Sequence, residues 1–231
     1  MRKVQFANDY FYHAYNRGTD KREIFSDEKD YFRFIHDLFE FNDNNAVVNA
    51  NFRFVQQINY GGSTSMVSRA REQLVDIISF CLMPNHFHFI LKQLKDGGIV
   101  KFMQKIGTGY TMYFNQKHKR SGVLFQGKFK AILIDRDEYF LPLSGYIHSN
   151  PVEIIEPGWK DAGIKDWPMV NDFLQKYRWS SYQDYIGIKN FPSVINKDFL
   201  LNYFQDTKRY QQYLKTYLVG DLERIKEVVL E

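Results

Sequence analysis

Apolar and polar positions along this chain switch between a period of two and a period of 3.6, and the switches mark its elements. Tyr10 to Tyr15 is short, aromatic and strand-like, and runs into the turn signal Asn16-Arg17-Gly18. Ser26 then offers an oxygen to cap a helix, with Asp27, Glu28 and Asp30 at the positive end of its dipole. Tyr31, Phe34, Ile35, Leu38 and Phe39 follow at helical spacing, which predicts an amphipathic helix from about 26 to 41. Residues 42–73 hold a turn at Asn42-Asp43-Asn44-Asn45 and a loop at Gly61-Gly62-Ser63-Thr64-Ser65, with an extra strand or hairpin between them. Val75 to Met83 reads as a buried strand, and a second strand after Pro84-Asn85 makes the two a hairpin. Phe102, Met103, Ile106, Tyr110, Tyr113 and Phe114 form a helical stripe from Val100 to about His118, where Gly107 and Gly109 suggest close backbone approach. Phe129 to Ile134 is a further strand, and Asp135 caps a helix over about 136–149 that ends before Pro151. Strand, helix, hairpin, helix, strand, helix predicts an α+β sandwich with a mostly antiparallel sheet. Beyond Pro157-Gly158 the chain reads as an appendage, with a docking turn at Trp179-Ser180-Ser181-Tyr182 and helices over 197–230.

Aromatic residues make up 17% of the chain, enough to build the core and leave some rings to stack on bases. A net charge of +4 excludes a uniformly basic nucleic-acid binder. The charge is uneven, however. Lys117, His118, Lys119, Arg120, Lys128 and Lys130 cluster with no acid among them, as a phosphate footprint or as a solvated helix end. The single cysteine, Cys81, excludes an internal disulfide and suits a reducing compartment. With no signal-peptide pattern and no run of membrane-spanning length, a cytoplasmic protein with no membrane partner is expected.

The chemistry concentrates in Cys81-Leu82-Met83-Pro84-Asn85-His86-Phe87-His88-Phe89-Ile90-Leu91. On a strand, His86 and His88 share one face, while Phe87, Phe89 and Leu91 pack on the other. Two parallel imidazoles form half of a metal site. Tyr146-Ile147-His148-Ser149-Asn150-Pro151 is the candidate other half. Tyr146 and Asn150, four apart, share a helix face, and Pro151 puts Asn150 at the helix end. Two imidazoles and one amide oxygen leave positions open for water and phosphate, which suits Mg²⁺ or Mn²⁺ better than closed zinc coordination. A tyrosine oxygen attacking phosphorus would keep the ester energy in a phosphotyrosine, so that rejoining needs no nucleotide cofactor. The sequence names no base for the phenol proton. His148 reads as structural, and His13 and His36 have no partner visible in sequence.

These residues resemble the single-tyrosine HUH (His-hydrophobic-His) transposases of insertion sequences, and most closely the branch associated with repetitive extragenic palindromes (REP). The likeness runs through Tyr12-His13-Ala14-Tyr15-Asn16-Arg17-Gly18, Phe80 to Leu91 with Met83-Pro84-Asn85-His86-Phe87-His88, Tyr113-Phe114-Asn115, Gly122 to Lys130, Tyr146-Ile147 with Asn150-Pro151-Val152, and Trp179 to Tyr182. It implies a ferredoxin-like antiparallel sheet covered by helices, with a mainly helical C-terminal appendage. It implies cleavage of single-stranded DNA with a 5′-phosphotyrosine intermediate and a free 3′-hydroxyl. By carry-over, Tyr146 is the nucleophile and His86, His88 and Asn150 hold Mg²⁺ or Mn²⁺. Asn150 stands where classical members of the group have Gln.

The expectation is a DNA transposase, residues 1–157 forming its catalytic domain and 158–231 a helical appendage packed on it. Single-stranded or hairpin DNA would be held by Arg17, Lys117, Lys119, Arg120, Phe125, Lys128 and Lys130. For Phe125 a competing reading makes it a core residue. The protein would act as a monomer or homodimer. Two other functions fit less completely. One is a domesticated enzyme processing chromosomal palindromes with the same site. The other is a catalytically silent nucleic-acid-binding module, against which the joint presence of His86, His88, Tyr146 and Asn150 argues.

Overall fold

The computed structural model describes residues 4–45, 71–135 and 137–220. Four strands carry the site: β1 (Phe11–Arg17), β2 (Val75–Met83), β3 (His86–Gln93) and β4 (Lys130–Ile134). They form one antiparallel sheet in the order β2-β3-β1-β4. Two helices, α1 (Glu28–Glu40) and α2 (Gly98–Lys117), follow β1 and β3. This is the expected ferredoxin-like arrangement of an α+β protein. β1 runs two residues past the sequence expectation because Asn16 and Arg17 still pair with Phe87 and His86.

The two sheet faces have different partners. Phe87 and Phe89 point toward α1, where Phe34 meets both rings at 5.2 and 6.3 Å between centroids. The helix α2 lies beside α1, with Tyr110 edge-on to Phe34 at 4.9 Å. Gly109 lets them approach: a Cβ there would stand 2.5 Å from the Phe41 ring. Gly107 has nothing within 4 Å, so only one of the two glycines serves that purpose.

The cap of α1 is Asp27 rather than Ser26. Its side chain accepts from the Asp30 amide at 3.1 Å, and the Asp30 carboxylate accepts in return from the Ser26 amide at 2.9 Å. The 42–45 turn is tied down by the buried Asn42, whose Oδ1 accepts from the Leu74 and Val75 amides and whose Nδ2 donates to the Val75 carbonyl. The loop and extra strand expected between residues 46 and 70 lie outside the described residues.

The opposite sheet face is covered by α3 (Asp137–Ser149), and further helices follow it, packed largely on α3 and on one another. These are α4 (Val152–Ile155), α5 (Trp159–Ala162), α6 (Trp167–Lys176), α7 (Tyr182–Tyr185), α8 (Asp198–Phe204) and α9 (Thr207–Val219). The expected docking turn at Trp179–Tyr182 seats on the outer edge of β2. Leu82 N donates to the Trp179 carbonyl at 2.8 Å, and Ser181 N donates to the Phe80 carbonyl at 3.0 Å. Among the described residues, no helix is long and apolar enough to cross a membrane.

The end of α3 is fixed by a buried polar bracket. His148 Nε2 lies 2.7 Å from Ser181 Oγ, and its Nδ1 hydrogen-bonds the Tyr210 hydroxyl of α9. Burial pushes the His148 imidazole down to about 3 from 6.5, so it is neutral in the folded chain. The unfolded chain binds a proton below 6.5 that the folded chain rejects. His148 therefore stabilises fully above pH 6.5 and progressively less as pH falls toward about 3. His148→Gln should flatten the decline of unfolding free energy across that window, measured by urea titration at several pH values. Parallel curves for wild type and variant would show that His148 does not set the acid sensitivity.

Candidate active site

The register of the central strands builds the site. Tyr15 stands opposite His88 and Arg17 opposite His86 across β1 and β3. Cys81 and Met83 of β2 flank the same two histidines, and Lys130 of β4 stands opposite Tyr15. Cross-strand partners share a face, so Lys130, Tyr15, His88 and Cys81 form one row, and Arg17, His86 and Met83 the next. The two histidine rings lie 5.0 Å apart and perpendicular. His88 is fully buried and His86 half-buried.

Each histidine has its Nδ1 engaged. Asn85 Nδ2 donates to the Lys21 carbonyl, which turns its Oδ1 to accept from His86 Nδ1 at 2.6 Å. His86 Nε2 then carries the lone pair. His88 Nδ1 lies 2.9 Å from His13 Nε2, and the rings stack at 5.2 Å. With His88 Nδ1 as the donor, its Nε2 carries the lone pair too. Hydrogen bonding of one ring nitrogen to orient the other is the usual support of a ligating histidine.

Tyr146 comes down from α3 onto this row. Its ring meets His88 edge-on at 5.5 Å and His13 at 6.4 Å, and the residue is fully buried. Lys160 of α5 places its ammonium 3.4 Å from the Tyr146 hydroxyl and 4.7 Å from the ring centre. Asn150, just past the end of α3, donates from Nδ2 to the Tyr146 carbonyl at 2.9 Å, which leaves Oδ1 as the remaining side-chain acceptor. Among the described residues, no three of His, Cys, Asp and Glu gather into a metal-sized group. Imidazole nitrogens from His86 and His88 with an amide oxygen from Asn150 are donor types that an open Mg²⁺ or Mn²⁺ position could accept.

The expected DNA contacts divide in two. Arg17, Lys128 and Lys130 line a cleft of about 150 Å³ with Tyr15 and His86. The loop carrying Lys128 is tied to the end of β1: Gln126 N donates to the Arg17 carbonyl, and Asn16 Nδ2 donates to the Gly127 carbonyl. Lys117 lies elsewhere, held 2.6 Å from both Asp27 and Asp30. Burial disfavours its charge, but the two carboxylates outweigh that and raise its pKa. The Lys117 hydrogen bond in turn lowers that of Asp27. Arg120 is bonded to Asn115 Oδ1 and the Val123 carbonyl, and Lys119 is exposed beside it. Phe125 is 8% exposed, edge-on to Phe87, which favours its core reading; Val123, at 70%, is the exposed apolar residue of that loop.

Sequence reasoning missed His13, Asn85 and Lys160. His13 alternates with Tyr15 and Arg17 along β1, so a period-two reading puts it on their face. The missing fact was that β1 lies beside β3. His118, assigned to the basic patch, pairs with Asp30 at 3.1 Å.

Residues 51–150 match the family described as "Transposase IS200 like". That span contains His86, His88, Tyr146 and Asn150 but neither His13 nor Lys160. A solved structure described as a REP-associated tyrosine transposase bound to a REP hairpin shares the fold, with a TM-score of 0.50 and 13% identity. The likeness covers 86% of this chain and 92% of that one. No curated protein matches the chain.

His13→Ala removes the partner of His88 Nδ1 without touching a candidate ligand. Mn²⁺ affinity, followed by the electron paramagnetic resonance signal of the free ion, should fall about 10–100-fold. An affinity equal to wild type would mean that His13 does not orient His88 for a metal.

Proposed function

We propose, from the match of residues 51–150 to the IS200-like transposase family, that this chain cleaves and rejoins single-stranded DNA through a 5′-phosphotyrosine on Tyr146. The observation that carries this reading is the Tyr146 ring set edge-on to His88 at 5.5 Å. It sets the phenol ring against the inner of two neighbouring imidazoles, which supports their acting together. His86 and His88 through Nε2, and Asn150 through Oδ1, are the residues that would hold Mg²⁺ or Mn²⁺. A bound ion supplies charge neutralisation at the scissile phosphate.

The protein's own part is positioning. The cleft beside His86 offers three cations to the DNA backbone from Arg17, Lys128 and Lys130. Hairpin DNA is the proposed substrate, in keeping with the REP hairpin bound by the structural neighbour. Residues 1–157 are the proposed catalytic domain and 158–231 a helical unit packed on it, with Lys160 contributed across that boundary.

Tyr146→Phe keeps the ring and its packing but removes the attacking oxygen. It should bind labelled hairpin DNA as wild type does and form no covalent adduct on a denaturing gel with Mn²⁺. An adduct in the Phe variant would transfer the nucleophile to another tyrosine. Chelator, His86→Ala and His88→Ala should each abolish the adduct in the same assay.

Neutralising Lys128 and Lys130 together should weaken hairpin binding and flatten its dependence on salt, since each phosphate contact releases counterions. Lys117→Met breaks an internal ion pair and should lower the melting temperature with little change in that slope. The opposite pattern would move the DNA surface from the cleft to the end of α2.

A further inference from the structure

Lys160 lies ten residues beyond the family-matched span, on a four-residue helix with no hydrophobic period of its own. Packing still holds it in place. Trp159, next to it, is 1% exposed, and Gly158 enters the helix with φ of +79°, a conformation that favours glycine. Gly158 N donates to Glu153 Oε1 at 3.1 Å, which ties the helix start back to α4. The backbone thereby delivers one ammonium to one phenol oxygen, 3.4 Å away.

We propose that Lys160 is a catalytic residue that holds the Tyr146 oxygen and stabilises the negative charge that oxygen carries during bond exchange. The proposal rests on the phosphotyrosine reading of Tyr146. In cleavage, the bond from Tyr146 Oη to phosphorus forms and the bond from phosphorus to the 3′ oxygen breaks. The phenol gives up one proton and the departing 3′ oxygen takes one up, with solvent as carrier. In rejoining, the 3′ hydroxyl attacks and Tyr146 leaves, its oxygen again bearing charge as the ester bond breaks. Lys160 stays an ammonium throughout both steps. A fixed cation beside that oxygen lowers both barriers, and the burial of Tyr146 beside a half-buried Lys160 keeps water from screening the pair as bulk solvent would. The ammonium over the ring adds a cation–π contact that holds the phenol in line.

The test compares wild type, Lys160→Met and Lys160→Arg in the full chain with Mn²⁺ and a labelled single-stranded hairpin oligonucleotide. Lys160→Met keeps the stem and loses the charge. Its single-turnover rate of adduct formation should fall about 100-fold at saturating DNA. Its hairpin affinity and melting temperature should match wild type. Lys160→Arg keeps a cation and should recover most of the rate. An adduct formed by Lys160→Met at the wild-type rate would overturn the proposal while leaving the phosphotyrosine reading intact. A loss of affinity and melting temperature in step with the rate would also overturn it, as the mark of a packing role. Wild type forming no adduct would overturn both.

Discussion

The pairing of β1 with β3, with Tyr15 opposite His88, is the constraint on which the site depends. Side chains alternate across a sheet, so a slip of one residue would send His13, Tyr15 and Arg17 to the aromatic face and leave His88 without its partner. The hydrophobic pattern resists that slip. Tyr12 and Ala14 are buried on the side of Phe87 and Phe89, and moving them would open the packing around Phe34. The same apolar contacts that stabilise the sheet therefore also fix the distance between His13 and His88.

A second constraint sets the rotation of α3. Tyr146 and His148 are two residues apart, about 200° around a helix. Anchoring His148 to Ser181 and Tyr210 on one side turns Tyr146 toward the histidine strand on the other. Gly145, just before Tyr146, gives room for the Tyr217 ring, which a Cβ would meet at 3.0 Å. Residues of the last described helices thus help aim a side chain that lies inside the family-matched span.

Local features of the fold are legible in the sequence. The hairpin around Pro84-Asn85, the shared face of His86 and His88, and the helices around Phe34 and Tyr110 follow from short-range periodicity and turn chemistry. What escaped depended on distance along the chain. His13 meets His88 across 75 residues, and no periodicity in β1 reveals which strand lies beside it. Lys160 sits on a helix too short to show a pattern. Phe125 reads as an exposed tip because glycines flank its loop, yet the ties of that loop to the end of β1 turn the ring inward. The lysine cluster near α2 is uniform in sequence, and only folding brings Asp27 and Asp30 to Lys117.

The seat of residues 177–196 along β2 also closes one edge of the sheet to other strands. The outward-facing carbonyls of Ile77, Ile78, Phe80 and Leu82 accept hydrogen bonds from Asn196 N, the Tyr185 hydroxyl, Ser181 N and the Tyr177 hydroxyl. The amides of Phe80 and Leu82 donate to Ser181 Oγ and the Trp179 carbonyl. An edge so occupied has little left to offer a foreign strand. Any sheet extended between two copies would have to start from the far side, at β4, whose five residues begin with a lysine. Growth of the sheet and access to the cleft lined by Arg17, Lys128 and Lys130 would then compete for the same margin of the molecule.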